Sequence, residues 1–221
     1  MEKLPLNPLN EGEMGVLLAM AGAGKTACLT HLAIGHMLGG DPVLHVCVDI
    51  LPDRAKLWYQ ELLKNLLPSQ PEGDISGLQH QFEPYRFIMS FMNQTFSPAK
   101  LEQAIENLKQ QAKFNPSLLI VDGLDFERNG RDMFEQIKAL AVRHSLRIWF
   151  SARTHRHIAD VNERGIPYPA NQMDDLFSSI LMLETQGDAI RLKTLKQDKD
   201  FSLADSEVLL DPHTFMLKKR A

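Results

Sequence analysis

Residues Leu17–Leu38, LLAMAGAGKTACLTHLAIGHML, run from an apolar segment through a glycine-rich turn into a stretch whose apolar residues recur at three- and four-residue spacing. A strand therefore feeds a helix through a short loop, and the loop carries the groups a polyphosphate needs. Closely spaced amides from Ala21, Gly22, Ala23, Gly24, Lys25, Thr26 and Ala27 can face an anion at the helix N-terminus. Gly22 and Gly24 allow positive φ and close backbone approach. Lys25 supplies a cation for the outer phosphates, and Thr26 supplies a hydroxyl for magnesium. Ala19 stands where this pattern expects its first glycine. Its methyl narrows the loop but removes neither an amide nor a charge, so the expectation is an ATP and Mg²⁺ site. A glycine turn with only a structural role is the competing reading.

The segment Ser117–Phe126, SLLIVDGLDF, is an apolar strand ending in Asp122. Taken alone, such an aspartate reads equally well as a turn cap. Paired with Lys25 and Thr26, it is the carboxylate expected to hold the metal opposite the threonine hydroxyl.

Around these two segments, strand-like runs at 15–20, 43–48, 85–91, 118–121, 146–151 and 180–183 alternate with helical patterns at 25–38, 52–66, 98–114 and 131–144. This alternation predicts one α/β domain over residues 1–221, with a mostly parallel sheet covered by helices on both faces. Ser97 before Pro98 is a cap-and-first-turn pair that fixes the start of the third helix. Residues 1–12 read as an N-terminal tail, and 67–84 and 155–172 as mobile surface loops. The short alternating runs of 185–221 predict an antiparallel C-terminal β extension.

The net charge of -4 over 221 residues gives no broad basic field, and no zinc finger, helix-turn-helix signature or dense basic stripe indicates nucleic acid. Cys28 and Cys47 sit in apolar runs without metal-type spacing, which fits buried thiols in a reducing cytoplasm. Neither a signal peptide nor a membrane span is expected.

With "GAGKT", "VLHVCVDILPDRA", "LLIVDGLDF", "RIWFSARTHR" and "LKTLKQDKDF" in this order, the chain resembles the RecA-like P-loop ATPases over about 13–199, nearest the replicative-helicase (DnaB) and circadian-clock (KaiC) branch. The resemblance implies a three-layer core. At the end of the second strand, where that family places a water-polarising glutamate, this chain has Asp49, the candidate base beside the catalytic Lys25. Ser151 and Arg153 match the positions expected to sense the γ-phosphate, with Ala152 in place of the usual glutamine. Lys196 and Lys199 match the segment that reaches a neighbouring subunit's nucleotide in a homo-oligomeric ring, with Asp198 at the usual arginine position.

These features make slow, magnesium-dependent ATP hydrolysis by a conformational switch or motor the leading expectation. A non-hydrolysing nucleotide-bound regulator or scaffold is the alternative, acting through a protein partner the sequence does not identify. A DNA motor and a small-substrate phosphotransferase are remote readings.

Overall fold

The computed structural model describes residues 4, 8–66, 77, 80–155, 158, 160–201 and 208–218. Its strands are β1 (Met14–Ala19), β2 (Val43–Val48), β3 (Arg86–Phe91), β4 (Leu118–Asp122), β5 (Arg147–Arg153), β6 (Ser179–Gln186), β7 (Ala189–Gln197), β8 (Asp200–Phe201) and β9 (Val208–Leu210). Among the described residues, the longer helices are α1 (Lys25–Met37), α2 (Pro52–Leu66), α3 (Pro98–Gln111) and α4 (Arg131–Arg143).

All strands join one sheet in the order β3-β2-β4-β5-β1-β6-β7-β8, with β9 also paired to β7. From β3 to β6 every pairing is parallel, and β7, β8 and β9 are added antiparallel. Residues of β1, β2 and β4 are buried at every position, as a parallel sheet covered on both faces requires.

Alternate side chains divide the core in two. Val16, Leu18, Val46, Val121 and Phe150 face α3 and α4, whereas Leu17, Ala19, Ile120, Trp149 and Leu183 face α1 and α2. The protein is thus a three-layer α/β structure with a mostly parallel mixed sheet. On the α4 face, Phe126, Phe134, Phe150 and Phe177 form an aromatic cluster, with Phe126 and Phe134 centroids 4.4 Å apart.

The Ser97 hydroxyl accepts from Lys100 N at 3.3 Å, and Pro98 opens α3. That helix ends at Gln111 rather than 114, because Lys113 turns to φ 54°, after which Phe114 N joins Ala112 N in closing on Leu108 O, each at 3.1 Å. β6 runs on to Gln186, beyond its apolar part, because it forms a hairpin with β7.

The N-terminal segment is docked where it is described: Leu4 and Leu9 are buried in the α1-side core, and Arg147 Nε donates to Leu9 O at 2.9 Å. Most of the loop expected at 67–84 lies outside the described residues. The described part of 155–172 folds on itself, with Val161 bridged to Pro167 and Asn162 accepting from Ile166 N at 3.0 Å. Among the described residues, no helix is long and apolar enough to cross a membrane.

Phe134 is fully buried at the centre of the aromatic cluster. Phe134→Ala is expected to cost about 3–5 kcal/mol, because the cluster on a sheet face cannot collapse into the void. Urea denaturation checks this, and a loss below about 1 kcal/mol would show that the cluster is not close-packed.

Candidate functional site

The chain leaves β1 at Ala19 and enters α1 at Lys25. Ala19 lies within β1, fully buried, so that position needs no glycine. Gly24 precedes the helix at φ 93°, where a Cβ would run into the Phe215 ring. Gly22 is also left-handed, at φ 77°, but nothing lies within 4 Å of where its Cβ would stand. The loop surface is therefore open at Gly22 and packed from behind at Gly24.

Cys28 N donates to Gly24 O at 3.0 Å, which leaves the amides of Lys25, Thr26 and Ala27 without an intrahelical acceptor. Such amides, together with the helix dipole, are what a helix N-terminus offers an anion. Lys25 Nζ donates to Ala19 O and Met20 O, each at 3.0 Å, so the ammonium is held across the mouth of the loop. Burial lowers its pKa, opposed by the Asp122 charge and reinforced by Arg153 and Arg54.

Thr26 and Asp122 meet directly: Thr26 Oγ1 donates to Asp122 Oδ2 at 2.7 Å, and both side chains are buried. Gly123 follows at φ 92°, where a Cβ would collide with Val48 O. One strand over, Ser151 Oγ accepts from Gly123 N at 2.9 Å, tying the ends of β4 and β5 together. Beneath Asp122, buried His45 meets Tyr59 Oη at 3.2 Å, and burial lowers its pKa to about 4 against the pull of Asp122. Burial pushes both thiols up to about 12, so neither is a nucleophile near neutrality.

The glycine-rich loop, Asp122, Gly123 and Ser151 line one cleft of about 780 Å³, within the size range of small-molecule sites. Gly22, Gly24, Lys25, Thr26 and Asp122 form its floor, and Ser151 and exposed Arg153 stand on the wall formed by β5. Asp125, Glu127, Asn93 and His155 also line it. Trp58, Ile190, Pro212 and Phe215 supply apolar lining. Phe215 is brought there by a turn in which Asp211 Oδ1 accepts from Thr214 N at 2.8 Å, and its ring meets that of Trp58 at 5.4 Å.

The remaining sequence candidates are placed apart from this cleft. Asp49 is exposed at φ 53°, with Oδ1 accepting from Asn93 N at 2.9 Å and Oδ2 from Asn93 Nδ2 at 2.6 Å. Asn93, not Asp49, lines the cleft. Lys196 is buried, donates to Asp174 O at 2.7 Å and lies over the Phe201 ring. Lys199 is exposed in the β7–β8 turn beside Asp198, which is at φ 54°.

Asn93, Glu127, Trp58 and Phe215 were not apparent as site residues in the sequence, since each reaches the cleft through a tertiary contact. A separate group, Glu102, Glu106 and His144, brings three potential ligand atoms within 4.8 Å of one another. Arg143 Nη2 lies 2.9 Å from both Glu102 oxygens, and Lys109 Nζ lies 3.1 Å from His144 Nδ1, so the group forms an ion-pair network between α3 and the end of α4.

Thr26→Val removes the hydroxyl and leaves a buried Asp122 oxygen unpaired, an expected loss of about 1–3 kcal/mol that Thr26→Ser should not show. Chemical denaturation of the two variants checks this. Comparison with protein-family models and with curated proteins gives no match to this chain.

Proposed function

We propose that the chain binds ATP with magnesium in this cleft and hydrolyses it slowly, as a RecA-like conformational switch. The observation that carries the reading is the convergence of the open helix N-terminus, the Lys25 ammonium and the Thr26–Asp122 pair in one cleft. A structural glycine turn would not require a half-buried lysine aimed across its own loop.

The cleft has the polarity a nucleotide needs. Phosphates fit the amides of Ala21 to Ala27, with Lys25 moving from two backbone carbonyls onto the outer phosphates. The apolar wall of Trp58, Pro212 and Phe215 suits a base, which gains from stacking on aromatic faces. Magnesium, held by the Thr26 hydroxyl and the Asp122 carboxylate, would supply charge neutralisation at the phosphates. Ser151 and Arg153 would then report the terminal phosphate to the loop that follows β5.

If protomers assemble into a ring, exposed Lys199 is the lysine presented to a neighbour. Lys196 would first have to leave the Asp174 carbonyl. A nucleotide-binding regulator without hydrolysis is the second reading, favoured by the commitment of both Asp49 oxygens to Asn93.

Thermal unfolding tests the binding reading. At a ligand concentration 100-fold above Kd, ATP with Mg²⁺ is expected to stabilise the protein by about 2.7 kcal/mol. Chelation of magnesium should reduce the shift, and Lys25→Ala should abolish it without lowering the unliganded Tm. An equal shift in Lys25→Ala would remove the phosphate loop from the account.

A further inference from the structure

Two carboxylates besides Asp122, Asp125 and Glu127, line the cleft, and a third, Asp49, holds the lining residue Asn93. Asp49 does not line the cleft, and both its oxygens hold Asn93. Asp125 lines it, but Oδ1 accepts the amides of Glu127 and Arg128 at 3.0 and 3.3 Å, and Oδ2 lies 3.2 Å from Arg128 Nε. Its carboxylate is spent on shaping the turn after β4.

Glu127 is different. Its side chain is 42% exposed, and Oε1 lies 2.7 Å from Nε2 of His155, whose side chain is 21% exposed. Both residues line the cleft with Lys25, Thr26 and Asp122. The pair spans the two loops leaving β4 and β5, adjacent strands whose ends are joined by the Ser151–Gly123 bond. An ionised carboxylate has no proton to give, so the bond needs hydrogen on His155 Nε2. Glu127 thereby keeps a second oxygen for another donor.

We propose that Glu127 is the carboxylate that orients the attacking water in this cleft, with His155 as its positioning residue. The proposal rests on the triphosphate reading and assigns Asp49 instead to holding Asn93. Water donates one hydrogen bond to Glu127 while its oxygen faces the terminal phosphorus. A bond forms between that oxygen and phosphorus, and the bond from phosphorus to the β,γ-bridging oxygen breaks. The bridging oxygen leaves with the electron pair on the diphosphate, where Lys25 offsets the charge. The water proton passes to Glu127 and then to solvent through the open side of the cleft, giving ADP, phosphate and one proton.

The test measures phosphate release and ATP affinity in parallel on the full chain, with Lys25→Ala as the blank for contaminating activity. Glu127→Gln keeps size and shape at a partly exposed position, so the fold is retained. Its kcat is expected to fall by about 10²-fold or more, with ATP affinity within about twofold because the lost contact belongs to the reaction step.

His155→Asn is expected to lower kcat by about tenfold with KM unchanged, and to add nothing on top of Glu127→Gln, since residues acting as one unit are non-additive. Undiminished phosphate release by Glu127→Gln overturns the proposal. So does loss of turnover in Asp49→Asn while Glu127→Gln stays active. A wild-type chain that binds ATP yet releases no phosphate also overturns it and leaves the binding reading intact, whereas a chain that binds no ATP removes both.

Discussion

The buried hydrogen bond from Thr26 to Asp122 is the constraint on which the site depends. It joins the first turn of α1 to the last residue of β4 across 96 residues of chain, with β5 lying between β4 and β1, the strand that α1 follows. Both groups are polar and buried, so each would be costly alone, and each satisfies the other. Their meeting sets the floor of the cleft and fixes how α1 presents its N-terminal amides. Gly123, unable to carry a Cβ beneath Val48 O, lets β4 turn away immediately after Asp122.

The sheet order places the other site residues with respect to that bond. Because β5 lies between β1 and β4, with Phe150 in register with both Val16 and Val121, its C-terminal end emerges beside the β1–α1 loop. Ser151 and Arg153 are delivered there by strand register alone, and His155 follows two residues later. The antiparallel additions act from the opposite side. β9 pairs with β7 and sends Phe215 back over Gly24, so the C-terminal segment backs the loop that Ala19 and Lys25 delimit.

Much of this was legible in the chain because it is written in local patterns. The largely apolar runs of β2 and β4 read as buried parallel strands, and Ser97–Pro98 announced a helix start that the hydrogen bond to Lys100 bears out. Gly22, Gly24, Lys25 and Thr26 fall within one loop, so their proximity needs no tertiary information. Ala19 departs from the expected motif without consequence for the backbone, since a buried strand position has no use for a glycine. Residues such as Asn93, Glu127 and Phe215 carry no comparable signal. Their places in the cleft come from non-local contacts: Asn93 is drawn in by Asp49 across β2 and β3, Glu127 by His155 across two loops, and Phe215 by a turn at Asp211. Asp49 shows the same limit in reverse, because spacing along the chain marked the end of β2 but could not show which neighbour its carboxylate serves.

The claim that organises the account is that the α1 N-terminus, Lys25 and the Thr26–Asp122 pair together form a magnesium-nucleotide site. Titration calorimetry of the full chain with ATP tests it most directly, in buffers with magnesium and with chelator. The account predicts one saturable site per chain, with affinity that falls when magnesium is removed. Absence of saturable binding in the magnesium buffer would contradict it.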